Sequence, residues 1–164
     1  MDLGIERKNL IEELGVHLEG DHLAPLAARI LATLILSGKK GVTFEELVNE
    51  LNAGKSTVST HLDHLQNTNR VTYFTKPGER KRYFIIDPNL ILNVMEEMLN
   101  KWEKERKLHI KIRNYKEESN LQAAKTGDFQ FDLEFQEDYL TFLNETSTAV
   151  QKLKTRLLAR YNEN

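Results

Sequence analysis

The chain has 164 residues, with 23 Lys and Arg against 25 Asp and Glu for a formal net charge of −2, and it is 40% hydrophobic and 29% charged. That is enough apolar residue for one domain with long helical extensions, and the lack of any cysteine excludes a disulfide framework, thiolate zinc sites and cysteine redox chemistry. No apolar run approaches the ~20 residues of a membrane span, and Met1 to Gly20 is charged throughout without the apolar centre of a signal peptide, so the expected setting is the cytoplasm, with no membrane partner.

Residues 6–19 read as an amphipathic helix with Leu10, Ile11, Leu14 and Leu18 on one side. Pro25 opens a second helix through Ser37, because proline is tolerated in a first turn. It is apolar nearly all round (Leu26, Ile30, Leu31, Leu34, Ile35, Leu36) and should be buried. Gly38 ends it, and Gly41-Val42 suits a very short strand. Thr43 N-caps the next helix with Glu46 three residues on, the pattern of a capping box, and Phe44, Leu47, Val48 and Leu51 form its core face.

After the turn Asn52-Ala53-Gly54, a helix over 55–68 places Val58, Leu62 and Leu65 at i, i+4 and i+7 on one face. Asn69 then supplies the left-handed residue that follows a helix, where glycine is the commoner choice. Strands over 71–76 and 81–86 flank Pro77-Gly78 at a hairpin tip.

Asp87-Pro88 starts a long helix to about Ala123, with Ile91, Val94, Met98, Trp102, Leu108, Ile112 and Tyr115 near heptad spacing and Glu105 and His109 interrupting the seam. Thr126-Gly127-Asp128 breaks it. A last helix over about 132–161 carries Phe135, Tyr139, Leu143, Thr146, Val150, Leu153 and Leu157 on one stripe. Two stripes of that length exceed what a small domain can cover, which implies a partner. The expected division is an N-terminal helix over 1–22 supporting a dimer, a central domain over 23–87 and a helical dimerisation region over 88–164. Ile91, Val94, Met98, Trp102, Leu143, Val150, Leu153 and Leu157 are the expected interface.

Charge is polarised along the chain. From Arg70 to Arg82 five basic residues stand against one acid, whereas from Asp128 to Glu145 there are six acids and no Lys or Arg. Between Lys101 and Lys116 seven basic residues face two acids, which suits a solvated helix face or, as a second reading, pairing with the acidic segment 128–145 of the last helix or of the other subunit.

The solvent face of the 55–68 helix carries Ser56, Thr57, Ser59, Thr60 and His64 after Lys55, short hydrogen-bonding groups that suit approach to base edges. Thr60 lies nearly opposite the apolar stripe and is the first candidate for base contact; His64 is the second. In the hairpin, Lys76, Arg80, Lys81 and Arg82 suit phosphates and the minor groove, with Arg80 nearest the tip. Helix followed by basic hairpin is the layout of a winged helix-turn-helix. The expected fold is mainly α, a winged helix-turn-helix with a small β-hairpin wing and long N- and C-terminal dimerisation helices.

Leu26-Ala27-Ala28-Arg29-Ile30-Leu31, Gly41-Val42-Thr43-Phe44-Glu45-Glu46-Leu47, Lys55-Ser56-Thr57-Val58-Ser59-Thr60 and Val71 to Tyr83 agree in order and spacing with one family. Through these blocks the chain resembles the MarR family of bacterial transcriptional regulators, most nearly its GbsR-like subgroup. The match spans residues 14–86, about half of the chain. The resemblance implies a homodimeric regulator, in the sense of a repressor, bound to an inverted-repeat operator on double-stranded DNA. Its recognition helix over 55–68 would enter the major groove and its wing over 71–86 would lie on the flanking backbone or minor groove. It also implies a quaternary ammonium effector such as choline or glycine betaine, which aromatic faces could hold. Seven of the thirteen aromatic residues lie between Trp102 and Phe142. The subgroup likeness ends before them, so no effector residue is assigned. Two departures are Glu79-Arg80 in the wing, where a longer acid would orient the Arg, and Asn69 in place of glycine.

Two other readings compete: a winged-helix module for protein assembly with a helical stalk, and a metal-dependent enzyme. His61 and His64 at i, i+3 give one ion at most two ligands, where a closed zinc site takes four, and His17 and His22 flank a helix end. No phosphate-cradling glycine loop and no G-x-S-x-G nucleophile motif occurs. No catalytic residue, metal or cofactor is expected.

Overall fold

The computed structural model describes residues 2–162; Met1, Glu163 and Asn164, the outermost residues of the expected first and last regions, lie outside the described residues. The chain forms two compact units that divide between Leu90 and Ile91.

The first unit begins with α1, Leu3–Glu19, three residues earlier than the periodicity indicates. Asp2 sets that start, since its Oδ1 accepts the Gly4 and Ile5 amides at 2.9 and 3.4 Å. The helix meets its neighbour along Ile11 and Gly15, both buried, with Leu14 and Leu18 half-buried. Leu10, expected on that face, is 43% exposed because it sits about a quarter-turn from the contact line.

Helix α2, Pro25–Ile35, carries seven buried residues and is the centre of the core. It ends before Ser37, and Ile35 and Leu36, expected inside, are exposed in its last turn. Arg29 clamps α2 to α1, donating to Glu12 at 2.8 Å, Glu19 at 2.7 Å and the Pro25 carbonyl at 3.0 Å. The Glu19 and Glu12 carboxylates hold its guanidinium above the ordinary range. Gly15 admits this clamp: a Cβ there would lie 2.8 Å from Arg29 Cγ.

A 3-10 turn at Gly38–Lys40 leads into β1, Val42–Thr43, and α3, Phe44–Glu50. The capping box is complete. Thr43 Oγ1 accepts the Glu46 amide at 3.3 Å, and Glu46 Oε2 accepts the Thr43 amide at 2.7 Å. These bonds favour the ionised carboxylate and hold Glu46 below its usual range.

Helix α4, Lys55–Asn67, buries Val58, Leu62 and Leu65 against α2 and α3 as the spacing predicts. It stops one residue short of the expected end. Asn69 does adopt the left-handed conformation, φ +54, and the Arg70 amide closes back on the Leu65 carbonyl at 2.9 Å. Strands β2, Val71–Thr75, and β3, Arg82–Ile86, pair antiparallel with Tyr73 opposite Phe84 and Thr75 opposite Arg82. β1 adds to the other side of β3, giving the order β1-β3-β2. Val42, Val71 and Phe84 close the core from the sheet side.

The second unit is an antiparallel helix pair, α5 (Leu90–Thr126) and α6 (Glu134–Asn162). Gly127, at φ +74, turns the chain, and Asn120 clamps the connection by accepting the Phe131 amide at 2.7 Å and donating to its carbonyl at 2.8 Å. Much of what joins the helices is polar: Lys116 donates to Gln136 at 2.7 Å, Tyr139 to Glu105 at 2.5 Å, and Lys154 pairs with Glu96.

This seam rearranges the expected stripes. Leu140, Leu143 and Gln136 turn inward on α6, and Met95 and Ala123 do so on α5. Leu143, expected between subunits, is only 1% exposed within one chain and is core of the pair. Val150, Leu157 and Trp102 are half-buried. Ile91, Val94, Met98 and Leu153 stay open to solvent, as do Phe135 and Phe142.

Candidate nucleic-acid interface

Burial of Val58, Leu62 and Leu65 fixes the rotation of α4 and so decides which side chains leave the surface. Lys55, Ser56, Thr57, Ser59, Thr60 and His64 are all exposed, and His61 is half-buried at the edge. Thr60 Oγ1 donates to the Ser56 carbonyl at 3.0 Å, so its proton is held within the helix. What Thr60 turns outward is an acceptor oxygen and a methyl group, which suit a base amino group and a thymine methyl. Lys55 is not a free cation, because its Nζ lies 3.3 Å from Glu45 Oε1 on α3. Sequence spacing gave no signal for that pair, which joins two helices across the turn.

The wing is built on two aromatic platforms that sequence reading missed. Lys76 Nζ sits 4.1 Å from the Tyr83 ring centroid and the Arg82 guanidinium 4.5 Å from that of Tyr73. The strand register was the available clue, since Arg82 is opposite Thr75 and therefore diagonal to Tyr73. Phe74 and Tyr83 stack with centroids 5.4 Å apart and stiffen the base of the hairpin. Gly41 lets the short strand approach: it lies at φ +69, and a Cβ there would come within 3.0 Å of Tyr83 Cβ and 3.1 Å of the Phe84 carbonyl oxygen.

Glu79 does not hold Arg80, contrary to expectation. Its Oε2 accepts the Tyr83 hydroxyl at 2.5 Å, and the neighbouring carboxylate raises that phenol above its ordinary range. Glu79 and Tyr83 lie on the same limb of the hairpin, four residues apart beyond the tip at Pro77-Gly78, where Gly78 is at φ +79. Arg80 and Lys81 are exposed at the tip, and among the described residues neither makes a hydrogen bond or ion pair. The wing thus has two cations braced on rings and two that project.

Among the described residues no three His, Asp or Glu side chains converge as a metal site. In the second unit Phe135, Tyr139 and Phe142 form a stacked ladder along α6, at 5.6 and 5.9 Å between centroids, and His109 meets Tyr139 edge-on at 4.6 Å. No described helix is long and apolar enough to cross a membrane.

No protein-family model matches the chain, and no curated protein matches it. One solved structure, described as a transcriptional regulator, is similar over 97% of this chain and 99% of its own, with 19% identity and a TM-score of 0.51. That likeness concerns the fold alone, which is mainly helical with a small three-stranded antiparallel sheet, an arrangement consistent with a winged helix.

Proposed function

We propose that this protein is a sequence-specific DNA-binding transcriptional regulator of the MarR family, GbsR-like subgroup, acting as a cytoplasmic homodimeric repressor. The observation that carries the reading is the pairing, in one unit, of an α4 face made of short polar side chains with a wing whose tip projects Arg80 and Lys81. In this reading α4 enters the major groove through Ser56, Thr57, Ser59, Thr60 and His64, while Lys55 is shared between Glu45 and phosphate. Lys76, Arg80, Lys81 and Arg82 follow the flanking backbone or the minor groove. The solved neighbour's description as a transcriptional regulator supports it. So do the open residues Ile91, Val94, Met98 and Leu153, which a second subunit would cover. The proposed organisation keeps 1–22 as support for the dimer, 23–87 for DNA and 88–164 for dimerisation.

Two-fold symmetry then makes the operator an inverted repeat with half-sites about one helical turn apart. The proposed effector class is a quaternary ammonium compound held by aromatic faces of the helical region. Electrophoretic titration on fragmented bacterial genomic DNA tests the function: a subset of fragments shifted in the presence of excess sheared competitor supports it, and uniform weak binding to all fragments refutes it. Calorimetric titration with choline and glycine betaine tests the effector, and the absence of heat at millimolar ligand removes that class.

A further inference from the structure

The outer face of α6 carries two adjoining stripes. Phe142 (52% exposed), Ala149 and Leu153 (45% exposed) recur at i, i+7 and i+11 and form the apolar one. Beside it run Asp138, Glu145, Lys152 and Arg156, at i, i+7, i+14 and i+18, all exposed. The charges are ordered, acids in the N-terminal half and bases in the C-terminal half. None of the four has an ion-pair partner among the described residues, although Lys154, on the opposite face, pairs with Glu96 of α5.

We infer that this face docks against the same face of a second copy of the chain, with the two α6 helices antiparallel. A two-fold interface requires one patch to complement itself, so that residue i meets j and j meets i. A helix face that is negative in one half and positive in the other meets that requirement only when its partner runs the opposite way. With the axis near Thr148, Phe142 faces the partner subunit's Leu153. The same register sets Glu145 beside the partner subunit's Lys152 and Asp138 beside the partner subunit's Arg156. Ala149, next to the axis, is small enough for the backbones to approach. The apolar contacts hold the helices together, and the charges reject the parallel arrangement, which would put acid against acid. This inference rests on the homodimer reading and adds to it which face pairs and in which direction.

Charge swapping in the full chain, read by sedimentation equilibrium with helical content checked by circular dichroism, tests it. The variant Asp138→Lys/Glu145→Lys makes the face wholly basic, and Lys152→Glu/Arg156→Glu makes it wholly acidic. All four sites are exposed, so both variants should fold. Each alone should dimerise at least about tenfold more weakly than wild type, and an equimolar mixture should restore association, because every pair across the axis is then attractive. Wild-type protein that is monomeric at tens of micromolar overturns both the homodimer and this contact. A wild-type dimer whose two variants dimerise as tightly as it does overturns only the contact. So do two weakened variants that fail to associate when mixed.

Discussion

Thr60 and Arg80 should fail in different ways when truncated, because in the proposed reading Thr60 meets base edges and Arg80 meets the phosphate backbone. Arg80 is exposed at the wing tip, with no partner among the described residues to lose, so Arg80→Ala removes a charge without disturbing the fold. One neutralised phosphate contributes about 0.9 to the slope of log K against log salt, and a homodimer has two wings, so the slope should fall by about 1.8. At about 0.1 M salt that is a loss on the order of 60-fold, equal on cognate and random DNA, and the ratio of the two stays constant.

Thr60 Oγ1 is already satisfied by the Ser56 carbonyl as a donor, so it offers one acceptor per half-site. Losing one hydrogen bond of about 1 kcal/mol in each of two half-sites costs about 2 kcal/mol, roughly 30-fold. That loss should fall on the cognate site alone and leave the salt slope unchanged. Fluorescence anisotropy across a salt series, on an enriched fragment and on random DNA, measures all four quantities. If Arg80→Ala leaves the slope unchanged, or Thr60→Ala weakens random DNA as much as the cognate fragment, the assignment of roles is refuted.

Gly15→Ala should lower the melting temperature, since its Cβ would displace Arg29 Cγ and loosen the bonds to Glu12 and Glu19; overpacking of this kind costs about 1–3 kcal/mol, and an unchanged melting curve would show that the clamp yields freely. Glu46 has a folded pKa below its unfolded value, so its capping contribution is present above the usual carboxylate range and is lost as pH falls through the lowered folded value. Glu46→Gln should therefore flatten the stability profile on the acid side, as pH falls below the usual carboxylate range, and parallel profiles for the two proteins would contradict the cap. Tyr83→Phe frees Glu79, whose charge is then free to face Arg80; binding to random DNA should weaken severalfold, and unaltered binding would show that the Tyr83–Glu79 bond does not govern the tip.

The first unit was legible wherever one residue type has one local use. Thr43 with Glu46 predicts a capping box, Asn69 a left-handed helix end, and Val58, Leu62 and Leu65 the buried face of α4, and all three are present. What failed were features fixed by distant neighbours. The rotation of α1 is set by how Gly15 seats Arg29, which leaves Leu10 outside. Glu79, by contrast, takes a phenol only four residues on, on its own limb of the hairpin, instead of the adjacent Arg.

The long helices were the least legible. Heptad spacing gave their existence and approximate ends but could not say which apolar residues the helix pair itself covers. Glu105 and His109, which read as interruptions of a seam, turn out to face Tyr139, so the polar positions mark the contact within the pair. Leu143 went to that pair, while Leu153 on the same expected stripe stayed open, because ten residues at about 100° each turn the two side chains about 80° apart.

Hydrogen exchange of the protein alone and bound to an enriched genomic fragment reads the proposed interface segment by segment. DNA should slow exchange at the exposed start of α4, Lys55 to Thr60, and in the wing between Lys76 and Arg82, and leave the basic stretch from Lys101 to Lys116 unchanged. Slowing confined to the 101–116 stretch, with α4 and the wing unaffected, would contradict it.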